Sequence, residues 1–264
     1  MGGIMAKKAK DKTPDKAKEE TGNPFLETIS TVIWALGIAF VLRTFLFQPF
    51  HIPSGSMLPG LMKGDYLITT KYSLGYGEHA ATPLPFPVKK GRLFESKPER
   101  GDVLVFRMEE FSKNYIKRLV GLPGDQIQMK DGRLFLNGQA VQSELQSEGS
   151  LIDQDGTDVI GNLWLETFGN NNAHLILDTG ENEAADNTSI YTVPAGHYFM
   201  MGDNRDGSLD SRFSISRGGA GYVPTEHLIG KAEFVLLSVT EEFQLFKPWT
   251  WANMRGNRFF KAIK

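Results

Sequence analysis

Ser56 lies in the run Ile52-Pro53-Ser54-Gly55-Ser56-Met57-Leu58-Pro59, and Lys117 lies in Tyr115-Ile116-Lys117-Arg118-Leu119-Val120. A serine hydroxyl is a weak nucleophile that needs a base beside it. A lysine amine can be that base only when neutral, which requires an apolar setting or a nearby cation to lower its ordinary pKa of about 10.4. Such a pair hydrolyses acyl groups without a metal or an organic cofactor. Pro53, Gly55 and Pro59 alternately restrict and relax the backbone around Ser56, which suits a hydroxyl held toward a cleft with its amides left available. An ordinary turn with a capping serine has the same composition. In a strand, Tyr115, Lys117 and Leu119 share one face and Ile116, Arg118 and Val120 the other, so Lys117 would stand between two bulky neighbours. A lysine on a solvated face satisfies that alternation equally well.

A second polar run, Gly202-Asp203-Asn204-Arg205-Asp206-Gly207-Ser208-Leu209-Asp210-Ser211-Arg212, carries two hydroxyls and opposite charges. Ser208, Asp210 and Arg212 are suited to orienting an amine as well as to a solvent-facing turn. Calcium fits less well, because the spacing is not that of an EF-hand and no terminal glutamate supplies bidentate ligation. The five histidines, at 51, 79, 174, 197 and 227, show neither His-Glu-x-x-His spacing nor a compact ligand cluster, so no metal site is expected. The absence of cysteine excludes disulfides and thiolate chemistry. A formal charge of -2 gives no broad positive field, and nucleic acid is not an expected partner.

The elements that must hold these groups follow from patterning. Residues 1–24 contain six lysines among acids and read as a flexible, solvated tail. Thr28 to Leu42 is uncharged, and the apolar character resumes after Arg43 with Phe45, Leu46, Phe47 and Phe50. Fifteen uncharged residues fall short of the roughly 20 that cross a bilayer. A helix from about Thr28 to Gln48 spans if Arg43 snorkels to the headgroups, so one membrane anchor is placed at 25–49; an interfacial helix and a buried soluble helix are the competing readings. The six lysines favour an amino terminus inside the cell. Arg43 and the aromatic run occupy the place where a cleaved signal peptide would carry small residues.

From residue 50 onward, short β-prone runs alternate with turns: Asp65–Thr70, Asp102–Phe106, Tyr115–Val120, Gln126–Met129 and Arg133–Leu136. Asp131-Gly132 and Asn137-Gly138 are good hairpin turns. Segments near 75–100 and 142–189 interrupt this spacing, as surface excursions or as part of a small subdomain. Near the end, Phe246, Trp249, Trp251, Phe259 and Phe260 are interspersed with Lys and Arg, which suits a membrane-interface surface or buried aromatics beside a basic exterior.

Taken in order, the anchor, the Ile52–Pro59 run, Arg100-Gly101-Asp102-Val103-Leu104-Val105-Phe106, Lys117-Arg118-Leu119-Val120-Gly121-Leu122-Pro123-Gly124-Asp125 and the Gly202–Arg212 run resemble those of bacterial type I signal peptidases, membrane-bound serine proteases with a serine and lysine dyad. The resemblance implies a mainly β fold: a signal-peptidase-like β domain over 50–264 with a smaller inserted or appended β subdomain, preceded by one transmembrane helix. It assigns Ser56 as nucleophile, Lys117 as general base, and Ser54 together with the Ser56 amide as the oxyanion site. Ser208 corresponds to the hydroxyl that positions the amine, and Asp210 and Arg212 to a supporting pair. Ile52, Met57 and Ile116 are candidate pocket residues, with core packing as the alternative for each. The implied substrates are exported preproteins, cut after signal peptides with small residues one and three positions before the cleavage point. The implied location is the bacterial inner membrane, with the tail inside and the catalytic domain on the outer face.

The chain departs from the two-span enterobacterial form in having one convincing anchor and no cysteine, and Gly207 replaces an asparagine often found there. Two other readings compete. A self-cleaving repressor-like protease shares the Ser and Lys chemistry, but it fits poorly with an anchor and no DNA-binding module. A membrane-anchored β domain that binds exported peptides would leave them uncut.

Overall fold

The computed structural model describes residues 23–80, 88, 91–152, 158–169, 172–180 and 183–263. The six lysines on which the inward amino terminus rests lie outside the described residues. Helix α1 (Pro24–Val41) begins where the Phe25 amide donates to Asn23 Oδ1 at 3.1 Å, with proline first in the helix and Glu27 in its first turn. All three features favour a helix start. A π-helical turn, Leu42–Leu46, continues it. Within the 23 residues Pro24–Leu46, 18 consecutive residues reach a mean hydropathy of 2.0, and no residue of α1 is buried. At about 1.5 Å per residue Pro24–Leu46 extends about 34 Å, enough to cross the roughly 30 Å hydrocarbon layer. The helix thus starts before the predicted Thr28 and stops short of Gln48, because Phe47 already pairs with Thr70 in a sheet.

That transition carries an unanticipated device. Lys71 is fully buried, and its amine donates to the carbonyls of Arg43 at 3.1 Å and Thr44 at 3.0 Å, while its backbone amide donates to Leu46 at 3.0 Å. The carbonyls of a terminating helical turn have no partners of their own, and here a lysine supplies them. Burial, with help from the Arg43 charge, lowers the Lys71 amine to about 8.

The described residues of the domain that follows form three sheets. An eight-stranded antiparallel sheet runs in the order β1 (Phe47–His51), β2 (Asp65–Thr70), β14 (Leu228–Ser238), β3 (Val103–Met108), β4 (Lys113–Gly121), β12 (His197–Met201) and β13 (Tyr222–Pro224), with β15 (Lys261–Ala262) also paired to β14. A four-stranded sheet orders β11 (Tyr191–Thr192), β5 (Gln126–Lys130), β6 (Arg133–Leu136) and β7 (Gln139–Ala140). A three-stranded sheet, β10 (Asn172–Asp178), β9 (Asp158–Phe168) and β8 (Gln142–Ile152), is the smaller subdomain. The expected mainly β domain with a smaller β subdomain is therefore present. Asp131-Gly132 and Asn137-Gly138 turn β5 into β6 and β6 into β7, all four with positive φ, as such hairpins require.

Strands β3 and β4 are buried on both faces from Val103 and Lys117 onward. Leu104, Phe106 and Leu119 pack with Leu74, Tyr198 and Met200 in one core cluster, while Val103 packs with Ile52, Met57 and Leu61 in another. At the far end of the chain, Phe246, Trp249, Trp251, Phe259 and Phe260 are exposed, which removes the reading of buried aromatics.

Candidate active site

Ser56 sits in the loop between β1 and β2. The Ile52 amide donates to Asp65 at 2.8 Å and the Gly64 amide to Ile52 at 2.9 Å, so the strand pairing closes the base of the loop. Ile52, Met57 and Leu61 are buried with Leu67, Val103 and Val235 beneath it. These apolar side chains pin the loop on both sides of Ser56. Asn204 holds it from above: its amide donates to the Ser56 carbonyl at 3.2 Å, and its Nδ2 to the Gly55 carbonyl at 3.1 Å. Ser56 is 9% exposed, Ser54 is exposed, and their hydroxyl oxygens are 3.5 Å apart. The Ser56 amide has no acceptor among the described residues. Of the three candidate pocket residues, Ile52 and Met57 are core, while Ile116 is half-buried against the same cluster.

Lys117 stands on β4 opposite Leu104 and is 4% exposed. Its amine lies 2.8 Å from Ser56 Oγ and donates to the Ile116 carbonyl at 3.0 Å, with the Tyr115 ring centred 5.7 Å away. Burial lowers its pKa from 10.5 to about 8; Asp210 and Asp203 oppose the shift and Arg212 assists it. The partner count agrees with the electrostatics. An ammonium has three hydrogens to place, whereas a neutral amine has two and a lone pair that accepts a hydroxyl proton. With Ser56 Oγ and the Ile116 carbonyl as its hydrogen-bond partners, the site suits the neutral form.

The Gly202–Arg212 run packs against this pair. The Asp210 carboxylate accepts the Gly202 amide at 2.9 Å and both Nε and Nη2 of Arg212 at 2.9 Å. Arg212 also donates to the Arg205 carbonyl, and Arg205 pairs with Glu166 of β9, tying the run to the smaller sheet. Burial would raise the Glu166 carboxyl, but the Arg205 charge and the His174 hydrogen bond bring it down to about 2. A Cβ on Gly202 would lie 2.3 Å from Ser208 Oγ and 2.5 Å from the Ser56 carbonyl, so only glycine lets both approach. The buried Ser208 hydroxyl thus lies beside the Ser56 backbone, and it has no hydrogen-bond partner among the described residues. Gly207 has an equally local reason: a Cβ there would meet Asn204 Nδ2 at 2.4 Å.

Arg118, Asp203 and Asn204 escaped the sequence reading as individual residues. Arg118 Nε and Nη2 donate to the two Asp203 oxygens, each at 2.7 Å, and Nη1 to the Gly101 carbonyl at 2.6 Å, in a buried setting. The available signal was a charge next to Lys117, followed by the apolar run Leu119-Val120. Removing one member of a buried pair leaves the other charge stranded. Asp203→Ala is therefore expected to lower the unfolding free energy by about 3–5 kcal/mol, read by denaturant melting. The double change Asp203→Leu with Arg118→Met should restore part of that loss.

One expectation is corrected. His79 and His227, far apart in the chain, do form a compact cluster with Glu109, their ligand atoms all within 4.8 Å of one another. The cause is register: antiparallel pairing of Leu228 with Phe106 carries the residue before Leu228 past the residues after Phe106.

The family model of signal peptidase, peptidase S26, matches residues 25–237. The signal peptidase I of Rickettsia typhi is 35% identical over 263 residues, covering 92% of this chain and 96% of that protein. That of Rickettsia prowazekii is 36% identical over 245 residues, covering 86% and 89%. A crystal structure of a signal peptidase I from Enterococcus faecalis is 29% identical, covers 52% of this chain and 97% of its own, and has a TM-score of 0.29. With a family match running from the anchor to the end of β14, and relatives aligned over nearly their whole length, this chain belongs to the signal peptidase family, peptidase S26.

Proposed function

We propose that this chain is a signal peptidase I that releases amino-terminal signal peptides from exported preproteins, with Ser56 as nucleophile and Lys117 as general base. The observation that carries the reading is the 2.8 Å contact between a buried, pKa-depressed amine and a serine hydroxyl. The neutral amine takes the Ser56 proton as the oxygen attacks the scissile carbonyl. The resulting ammonium then protonates the leaving amine, and the neutral amine next activates the water that hydrolyses the ester on Ser56. The free Ser56 amide and the exposed Ser54 hydroxyl meet the oxyanion, where a donor counts most because the charge develops only in the transition state. Ser208, a buried hydroxyl with a hydrogen bond still to make, orients the amine, and Asp210 with Arg212 holds the segment that carries it.

An extended substrate has two backbone edges to join. Among the described residues, strand β1 is the outermost strand of its sheet, and Lys113–Lys117 of β4 pairs only with β3, since β12 takes Arg118 onward. Pairing along Gln48–Pro53 and Asn114–Lys117 binds main chain without demanding a fixed sequence. Half-buried Ile116, packed against the cluster of Ile52 and Met57, is the proposed floor of a shallow pocket that would take small side chains. The lysine-rich tail favours an amino terminus in the bacterial cytoplasm and a catalytic domain on the outer face of the inner membrane. The exposed carboxy-terminal aromatics suit contact with phospholipid, and a shared membrane raises the effective concentration of enzyme and substrate.

The direct test incubates detergent-supported protein with a signal-peptide-bearing preprotein and maps the products by mass. The expected result is one cut, after a small residue. Preprotein that co-elutes with the protein yet stays intact would replace this reading with a peptide-binding module.

A further inference from the structure

Away from the dyad, His79, Glu109 and His227 converge from three separate segments. Glu109 follows β3, about 16 Å along the strand from Leu104, the residue opposite Lys117. His79 belongs to the turn after β2, and His227 to the short 3₁₀ turn Thr225–His227 that leads into β14. Both histidines direct Nε2 at the same oxygen, Glu109 Oε1, at 3.2 Å from His79 and 4.0 Å from His227. Their rings stand edge to face at 5.7 Å. The histidines are largely covered and the carboxylate is about half exposed.

The scaffold that brings them together is held independently of them. The Arg92 guanidinium donates to the carbonyls of Leu74 at 3.0 Å and Gly75 at 2.6 Å on one side, and to Thr225 at 3.2 Å and Leu228 at 2.7 Å on the other. The turn bearing His79 is thereby clamped to the segment bearing His227. A backbone bridge between Tyr76 and Leu93 braces the same turn. The histidines and the carboxylate are thus presented by a frame with its own hydrogen bonds.

We propose that His79, Glu109 and His227 form a zinc-binding site that fastens the turn after β2 and the end of β3 to the entry of β14. Two imidazoles and one carboxylate make up a recognised zinc donor set. Zinc bonds of about 2.0–2.1 Å place tetrahedral ligands about 3.3 Å apart. One of the ligand distances already has that value, and shifts well under the length of a side chain bring in the others. The exposed side of Glu109 leaves the fourth position to water. Nothing in this proposal uses Ser56 or Lys117, so Ser56→Ala protein should bind zinc as wild type does, whatever becomes of the peptidase reading.

The test strips untagged, detergent-supported full-length protein with chelator and titrates it with zinc chloride against a chromophoric chelator. Cobalt(II) absorption and thermal melting are read in parallel. One zinc per chain is expected, with a higher melting temperature and the intense visible cobalt bands of a low-coordinate site. His79→Ala and His227→Ala should each weaken zinc at least the roughly tenfold that even indirect supporting residues produce. Glu109→Gln, nearly isosteric on a half-exposed side chain, keeps the fold and should weaken it likewise. The proposal is overturned if wild type retains no zinc at micromolar concentrations, or if folded Glu109→Gln and the histidine variants bind it as wild type does.

Discussion

Ser56→Ala should reduce preprotein cleavage by a factor of about 10⁴ or more, while the protein melts within about 4 °C of wild type. The two halves of that outcome have different causes. Chemically, alanine removes the atom proposed to form the covalent bond to substrate; the Ser54 hydroxyl and the backbone amide of residue 56, the proposed oxyanion donors, remain to polarise the carbonyl, which leaves only a residual rate. Structurally, the loop does not depend on that oxygen. It is held by Ile52, Met57 and Leu61 below and by Asn204 on the carbonyls of Gly55 and Ser56, and none of these contacts uses Oγ. The lost hydroxyl costs on the order of 1 kcal/mol, because the Lys117 amine keeps the Ile116 carbonyl. Product mass spectrometry and a melting curve on the same preparation check both parts. A folded Ser56→Ala protein that still cuts at the same bond would move the nucleophile elsewhere.

The residues proposed to do chemistry were more legible than the frame that aims them, and the reason is physical. Ser56 stands among prolines and a glycine that constrain a short backbone stretch, and Lys117 stands in a strand whose alternation is visible in its own neighbours, so both patterns are local. Strands β2 to β6 were legible for the same reason, since each buries an apolar face. The ribbon of β8 and β9 was harder to read as strand because much of β8 is exposed and nothing forces its hydrophobic residues into a period of two. The Arg118 and Asp203 pair and the two grips of Asn204 join residues more than 80 positions apart, and only the folded chain brings such pairs together. His79, Glu109 and His227 are separated in the same way. Lys71 carries no signal in the sequence, because its partners are backbone carbonyls, which have no residue type to recognise.

Cleavage should rise with pH by about tenfold per unit below the Lys117 pKa and level off above it, with the bend near 8. The sign follows from the role: the base works only as the neutral amine, so acid removes the active form. Asp210 and Glu166 are both held below their ordinary values and stay ionised through this range, so neither adds a second bend. Lys117→Arg tests the assignment, because guanidinium keeps the charge but does not deprotonate below about pH 12; it should be inactive at every pH. A profile flat between pH 6 and 9, or an active Lys117→Arg enzyme, would separate lysine from the proton transfer. The same depressed pKa makes a statement about stability. Between about 8 and 10.5 the unfolded chain holds a proton that the folded amine has lost, so stability rises with pH across that window. Below it the folded protein carries the whole cost of a buried ammonium, on the order of 3 kcal/mol. Lys117→Met removes that cost and should unfold at higher denaturant than wild type at pH 7, with the gap closing as pH approaches 10. Lys71 is depressed to a similar value, and because both proteins contain it, the difference between their curves reports Lys117 alone. A base that is destabilising where it sits and indispensable to turnover is the signature expected of a lysine buried for its chemistry.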